Sequence, residues 1–168
     1  MAIDIVLVDR DDNVLGYKEK VEAHKHPVPL HRAVSVIIYD KDHKEMLLQK
    51  RSFGKPTWPG FWSNAACTHP LSGESYKDAA ERRLFEEMGV KTDLNEVYKF
   101  IYKAKYDSVW GEHELDAVFT GEYDGKIVID PEEAEDWKWM KIEDLVEDIK
   151  LNPNLYTPWF KMILQKLH

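Results

Sequence analysis

A capped helix can be read directly from residues 75 to 89, SYKDAAERRLFEEMG, and it narrows the choice of fold more than any other segment. Tyr76, Ala80, Leu84 and Met88 recur every fourth position, which predicts an amphipathic helix with one apolar stripe. Ser75 followed three residues later by Asp78 is an acidic variant of the capping box, and Gly89 supplies a stop. Strand signals lie on both sides of it. Residues 3–8 and 14–19 flank the acidic turn Arg10-Asp11-Asp12-Asn13 and predict a hairpin. Ala33–Tyr39 and Glu45–Lys50 are apolar or β-branched strands, and the turn Asp40–Lys44 between them predicts that they pair. Further strands are expected near 95–104, 112–121 and 126–130, with helices over 141–149 and 155–166. The stretch 24–31 holds two prolines and reads as a loop; Ser52–Gly73, with Pro, Gly, Trp and Asn throughout, reads as an ordered one. Strands in the middle with helices on either side predict the α/β class, specifically an α/β/α sandwich around a mixed β-sheet.

At 168 residues the chain suits a single domain spanning 1–168. Hydrophobic residues at 43% and charged residues at 32% are those of an ordinary globular protein. A net charge of −8 argues against a nucleic-acid partner, yet a few local Lys and Arg can still attract a small anion. Cys67 is the only cysteine, so no intrachain disulfide can form and a reducing compartment is the simplest setting. The start MAIDIVLVDRDD lacks the pattern of a signal peptide, and no run approaches the roughly 18 apolar residues of a membrane span. The expectation is a cytoplasmic protein, a monomer by default, with no membrane partner.

The helix carries more than its apolar stripe. Glu74 is followed eight residues on by Arg82, then by Leu84, Glu86-Glu87, Gly89 and Val90, and Arg83 and Glu87 are four apart on one face. A helix with such charges is ordinarily a solvated face laced with salt bridges. This spacing, however, resembles the Nudix box, G-x5-E-x7-R-E-U-x-E-E-x-G-U with U apolar, which fixes many positions. The resemblance implies a Nudix-type sandwich with Mg²⁺ held by helix carboxylates against a diphosphate, since hard cations prefer oxygen ligands. There are two departures. Thr68 stands at the first Gly of the box, and Arg83 stands where the box has Glu after its Arg. A cation at that position weakens a multi-metal cluster for hydrolysis and offers a bidentate donor to a diphosphate instead.

A second group of residues suits a metal. A lone histidine is usually structural, but His69 lies two residues after Cys67 in WPGFWSNAACTHP, and His24 and His31 bracket the proline loop. Glu112 and Glu114 alternate along a predicted strand, so they project from one face about 7 Å apart at ~3.4 Å per residue. Three imidazoles with two carboxylates suit Zn²⁺, Mn²⁺ or Mg²⁺, and the nitrogen ligands tilt the choice away from Mg²⁺ alone. His26 competes with His24 for the first position, and His113 faces the other way and reads as structural. A single cysteine is ordinarily a small buried hydrophobe. Polar neighbours Asn64 and His69 in an irregular loop favour a chemical role.

Taken together, LLQKRSFGKPTWPGFWSNAACTHP (47–70), the altered box and Trp110-Gly-Glu112-His-Glu114 resemble the type I isopentenyl-diphosphate isomerases, Nudix-superfamily members that isomerise rather than hydrolyse. The likeness runs from Lys20 and His24 to Thr157-Pro-Trp159. It implies interconversion of isopentenyl and dimethylallyl diphosphate, with Cys67 and Glu114 as the proton-moving pair and Tyr102 close by. It also implies His24, His31, His69, Glu112 and Glu114 as ligands of Mn²⁺, Zn²⁺ or Mg²⁺. Glu87 would help hold a Mg²⁺ at the diphosphate, and Lys20, Arg51, Lys55 and Arg83 would clamp that group. Trp159 rather than Trp62 would face the reacting carbons; Trp58, Trp62, Trp137 and Trp139 otherwise read as core packing. Asp116 continues the acidic strand face without an assigned role. The rival readings are a Nudix hydrolase of a nucleoside diphosphate derivative and a non-catalytic diphosphate-binding module.

Overall fold

A computed structural model describes residues 2–168. The elements are β1 (Asp4–Val8), β2 (Val14–Glu19), α1 (Lys20–Ala23), β3 (His31–Tyr39), β4 (Glu45–Arg51), β5 (Trp62–Ser63) and β6 (Ala66–Thr68). They continue with α2 (Tyr76–Met88), β7 (Asn95–Lys105), β8 (Gly111–Glu122), β9 (Ala134–Lys141), α3 (Ile142–Leu151) and α4 (Pro158–Leu167), a short 3-10 turn preceding the last. Among the described residues the nine strands belong to one mixed sheet.

β3 is its axis. It runs parallel to β8 from His31 opposite Glu114 to Tyr39 opposite Glu122, and its other edge pairs with β6, Ser35 facing Cys67. Alternation along β3 then builds two cores. Val34, Val36 and Ile38 pack with Ala80, Leu84 and Met88 of α2. Ile37 and Tyr39 point the opposite way, to Leu145 of α3 and Phe160, Ile163 and Leu164 of α4. A strand covered on both faces needs apolar side chains at nearly every position, as 33–39 supplies apart from Ser35. Each large apolar side chain so buried contributes roughly 1.5–3 kcal/mol of transfer free energy. The α/β/α sandwich is therefore the observed architecture.

Two expectations about strands need correcting. β3 and β4 pair only at Tyr39 opposite Met46; beyond it β4 turns to β9 and β5. β-branched composition makes a strand but does not choose its neighbour, and residues 62–68 enter the gap, β5 against β4 and β6 against β3. Cys67 therefore sits on a strand rather than in an irregular loop. Residues 126–130 form no strand, because their backbone donors go to the end of α2: Val128 N–H donates to Met88 C=O and Asp130 N–H to Glu87 C=O. The strand β9 lies just beyond, where charges and Trp137 and Trp139 disguise its alternation.

The capped helix is as expected. Ser75 Oγ accepts from Asp78 N–H at 3.0 Å, and Gly89 ends α2 with φ +68°. A Cβ at Gly89 would stand 3.0 Å from the Val128 carbonyl oxygen and 3.1 Å from Val128 Cβ. Gly89→Ala should therefore lower stability by about 1–3 kcal/mol. Urea unfolding measures this, and an unchanged midpoint would show that the 126–130 segment yields freely.

Candidate active site

The period of two carries the chemistry onto one face of the sheet, beneath α4. His31 and Ser35 on β3, Cys67 on β6, and Glu112, Glu114 and Asp116 on β8 occupy positions of one parity. Tyr102 of β7 lies directly opposite Glu114. Lys20, His24, Arg51, Lys55, Cys67, His69, Arg83, Tyr102, Glu112, Glu114 and Trp159 line one cavity of about 300 Å³.

One wall of it is a five-residue cluster. Ligand-capable atoms of His24, His31, His69, Glu112 and Glu114 all lie within 4.8 Å of one another. Backbone carbonyls orient two of the rings: His24 Nδ1–H donates to Lys20 C=O at 2.6 Å, and His31 Nδ1–H to Pro29 C=O at 2.8 Å. A carbonyl can only accept, so each Nε2 is left with its lone pair turned inward, the tautomer a metal requires. His31 Nε2 and Glu112 Oε2 are buried without hydrogen-bond partners, although His24 Nε2 lies 3.0 Å from that oxygen. Inward lone pairs on nitrogen and oxygen with nothing to donate to them fit a divalent cation.

The charges left facing one another show the same need. Burial pushes Glu112 up to about 7, with Glu114 beside it adding to the shift. Burial would raise Glu114 too, but hydrogen bonds with His31 and His69 hold it well below the carboxylate range. Burial takes His69 down to about 3, while Glu112 lifts His24 to about 9 against the effect of burial. The alternative His26 is excluded from the cluster: its Nε2 bonds the Trp110 carbonyl at 3.0 Å and its N–H the Val109 carbonyl. It staples the proline loop to the start of β8. His113 turns away to the Val28 carbonyl, as expected.

Cys67 lines the same cavity. Its thiol donates to Asn64 Oδ1 at 3.2 Å, and the Trp159 indole N–H donates to Sγ at 3.1 Å. Burial, reinforced by Asp116 and Glu87, pushes the thiol up to about 12, so it rests as S–H. Asn64 is itself fixed by Val36 and Ala66 carbonyls and by the Ser63 hydroxyl. Ser63 bonds Thr157, the residue before α4. Tyr102 O–H donates to Glu114 Oε2 at 2.6 Å, and burial raises the phenol well above its usual range.

Four cations, Lys20, Arg51, Lys55 and Arg83, also line the cavity. Arg51 donates to the Thr57 and Trp58 carbonyls and lies 5.3 Å over the Trp159 ring. Trp58 adopts φ +46°, a conformation whose cost of about 1–3 kcal/mol is offset by such tertiary contacts. Burial lowers the Lys20 ammonium, and Lys55 and Arg83 lower it further. Arg83 donates to Glu87 at 2.8 Å, and Gln49 holds the other oxygen of that buried carboxylate. Glu87 is thus outside the histidine cluster and beside the cations. Every site residue expected from the sequence falls in or against this cavity. Glu133 was not anticipated: it pairs with Lys55 and, at 3.0 Å, with Arg83. In an acidic run, PEEAED, nothing separates it from a solvated charge.

The NUDIX domain family matches residues 29–160. The Deinococcus radiodurans protein DR0079 superposes with a TM-score of 0.79 over 97% of this chain and 98% of its own, at 17% identity. The MutT protein of Methanosarcina mazei gives 0.68 over 82% and 92%, also at 17%. At that identity the likeness is one of fold, and fold and helix motif together define a Nudix-domain protein. Two relatives narrow it. Isopentenyl-diphosphate Delta-isomerase 2 of Aromatoleum aromaticum is 41% identical over 99% of this chain and 87% of its own. The isopentenyl-diphosphate Delta-isomerase of Serratia proteamaculans is 42% identical over 97% and 90%. The chain belongs to the isopentenyl-diphosphate Delta-isomerase family.

Glu133 gives the site a pH signature. Burial alone would raise its carboxyl, but Lys55 and Arg83 bring it down to about 2. A folded-state value below the unfolded one stabilises the protein above about pH 4.3, and that contribution disappears as pH falls toward 2. Glu133→Gln should unfold at lower urea than the parent at pH 7, with the gap narrowing by pH 3. A gap independent of pH would mean that the ion pairs contribute nothing.

Proposed function

We propose that this chain, acting as a single domain, interconverts isopentenyl diphosphate and dimethylallyl diphosphate by adding a proton at one carbon and removing one two carbons away. The observation that carries this reading is the placement of a half-buried thiol, Cys67, and a buried carboxylate, Glu114, on one cavity that Lys20, Arg51, Lys55 and Arg83 also line. An isolated 1,1-disubstituted alkene is a very weak base. Its protonation develops the charge of a tertiary carbocation, so the reaction needs an acid, a base and a dry pocket that tolerates positive charge.

Cys67 and Glu114 supply the proton-exchanging pair, each worth roughly 10²–10⁴ in rate. Asn64 and Trp159 fix the thiol, and the Trp159 N–H stabilises the sulfur whenever its proton has left. Tyr102 does the same for Glu114. The Trp159 indole also offers a π-face to a developing cation, about 2 kcal/mol where water is excluded. Lys20, Arg51, Lys55 and Arg83 bind the diphosphate. Because that group is remote from the reacting bond, its binding energy serves to hold the alkene between acid and base. His24, His31, His69, Glu112 and Glu114 would hold Mn²⁺, Zn²⁺ or Mg²⁺, and Glu87 a Mg²⁺ at the diphosphate. Bound there, the cations supply positive charge that fixes the Glu114 carboxyl and neutralises phosphate oxygens. Arg83 in place of a box glutamate removes an oxygen ligand that hydrolysis would use.

The test is proton NMR of isopentenyl diphosphate with the protein and Mg²⁺ in D₂O. Deuterated dimethylallyl diphosphate without free phosphate is expected; phosphate release would move the protein to the hydrolases. Cys67→Ala should reduce turnover by at least about 10³-fold while pyrophosphate binding stays within a factor of about two. Wild-type turnover in that variant would remove Cys67 from the chemistry. Glu114→Gln should lose both activity and one equivalent of tightly bound metal by elemental analysis. A full metal complement would take Glu114 out of the ligand set.

A further inference from the structure

The cations of the clamp differ in how they are occupied. Arg51 turns Nε and Nη2 to two backbone carbonyls and has only Nη1 left for a ligand. Lys55 and Arg83 share a single carboxylate, Glu133, whose two oxygens go one to each. Arg83 also donates to Glu86 at 2.9 Å and Glu87 at 2.8 Å, so both of its terminal nitrogens are engaged. Its Nε–H, by contrast, is buried with no partner. A guanidinium grips a phosphate best through two parallel N–H donors. Here one donor waits unpaired, while the fork that would complete it is held in part by Glu133.

Glu133 is also placed to let go. Its backbone is fixed independently of its side chain: the carbonyl accepts from Ser52 N–H, and the N–H donates to Asp130 C=O in a turn just before β9. The side chain can therefore leave its partners without moving the turn. The turn is joined through Ser52 to the loop that carries Lys55, so the backbone of Glu133 stays beside Lys55 wherever its side chain goes.

We propose that Glu133 is the resident counter-anion of the clamp, seated on Lys55 and Arg83 in the free protein and displaced by the incoming diphosphate. Glu133 thereby sets the affinity of the clamp. It neutralises cations that would otherwise repel one another within a part-buried cavity, and the ligand binds with that much less net gain. The proposal rests on the clamp assignment made under the proposed function, but not on the proton chemistry.

The experiment is calorimetric titration of the metal-replete protein with inorganic pyrophosphate, comparing wild type, Glu133→Gln and Glu133→Asp, each shown folded by thermal unfolding. Glu133→Gln should bind with a Kd on the order of tenfold lower, and the gain should shrink between 20 and 500 mM salt as charge screening grows. Glu133→Asp, whose shorter arm reaches the cations poorly, should fall between the two and serves alone if the Gln variant does not fold. The KM for isopentenyl diphosphate should drop in parallel while kcat holds. Equal or weaker pyrophosphate binding in the folded variants would overturn the proposal, making Glu133 a support of the clamp. Pyrophosphate binding in a wild type that isomerises nothing would sink the proton chemistry and leave Glu133 to be judged on its own titration. A wild type that binds no pyrophosphate would remove the clamp and the proposal together.

Discussion

Three carboxylates on one buried face of β8 are what the rest of the site has to accommodate. Glu112, Glu114 and Asp116 are each at most 9% exposed and follow one another at every second residue of a strand near the middle of the sheet. Taking one carboxylate out of water costs several kcal/mol even after relaxation, and neighbours of like charge add to it. The strand is tolerable because other elements bring compensation: His31 from β3, His69 beyond β6, His24 from the loop after α1, Tyr102 from β7 and Ser35, whose hydroxyl donates to Asp116 at 2.7 Å. Even so, lone pairs on His31 and Glu112 stay unanswered.

The remainder of the fold can be understood as a rigid frame for that strand. β3 and β8 lie side by side, with α2 packed on one face and α3 and α4 on the other. The two faces then take different duties. The α2 face is apolar apart from the buried pair of Glu87 and Gln49, while the α4 face gives up its end nearest His31 to polar side chains and remains apolar toward Tyr39. Cys67, Glu114 and the cations Lys20, Arg51, Lys55 and Arg83 line one cavity, and the alternation that builds the core brings Cys67 and Glu114 to the same face of the sheet.

Much of this was legible in the residues, for reasons that differ from one to the next. The α2 helix declares itself through a four-residue repeat, a serine cap and a glycine stop, all of them local signals. Glu112 and Glu114 show their common face because a strand has a period of two. Pairing is another matter: nothing in Glu45–Arg51 says that its partner is Ala134–Lys141 rather than β3 across the turn. Residues 126–130 have strand composition, yet their N–H groups go to the carbonyls of α2, a choice made by distant chain. His24 and His26 are equivalent as letters, and only the hydrogen bonds of His26 to the 109–110 backbone separate them. Glu133 is hidden for the opposite reason, since an exposed acidic turn and a counter-ion of Arg83 are spelled alike.

The hydrogen bond from Trp159 to Cys67 joins residues 92 positions apart in the chain. Cys67 gains its full environment only when α4 docks. Contacts of such separation are slow to form, because loop-closure entropy is lost before the contact returns anything. The setting of the thiol is therefore only as secure as the docking of α4, and a loosened α4 leaves the sulfur without the indole N–H that holds it.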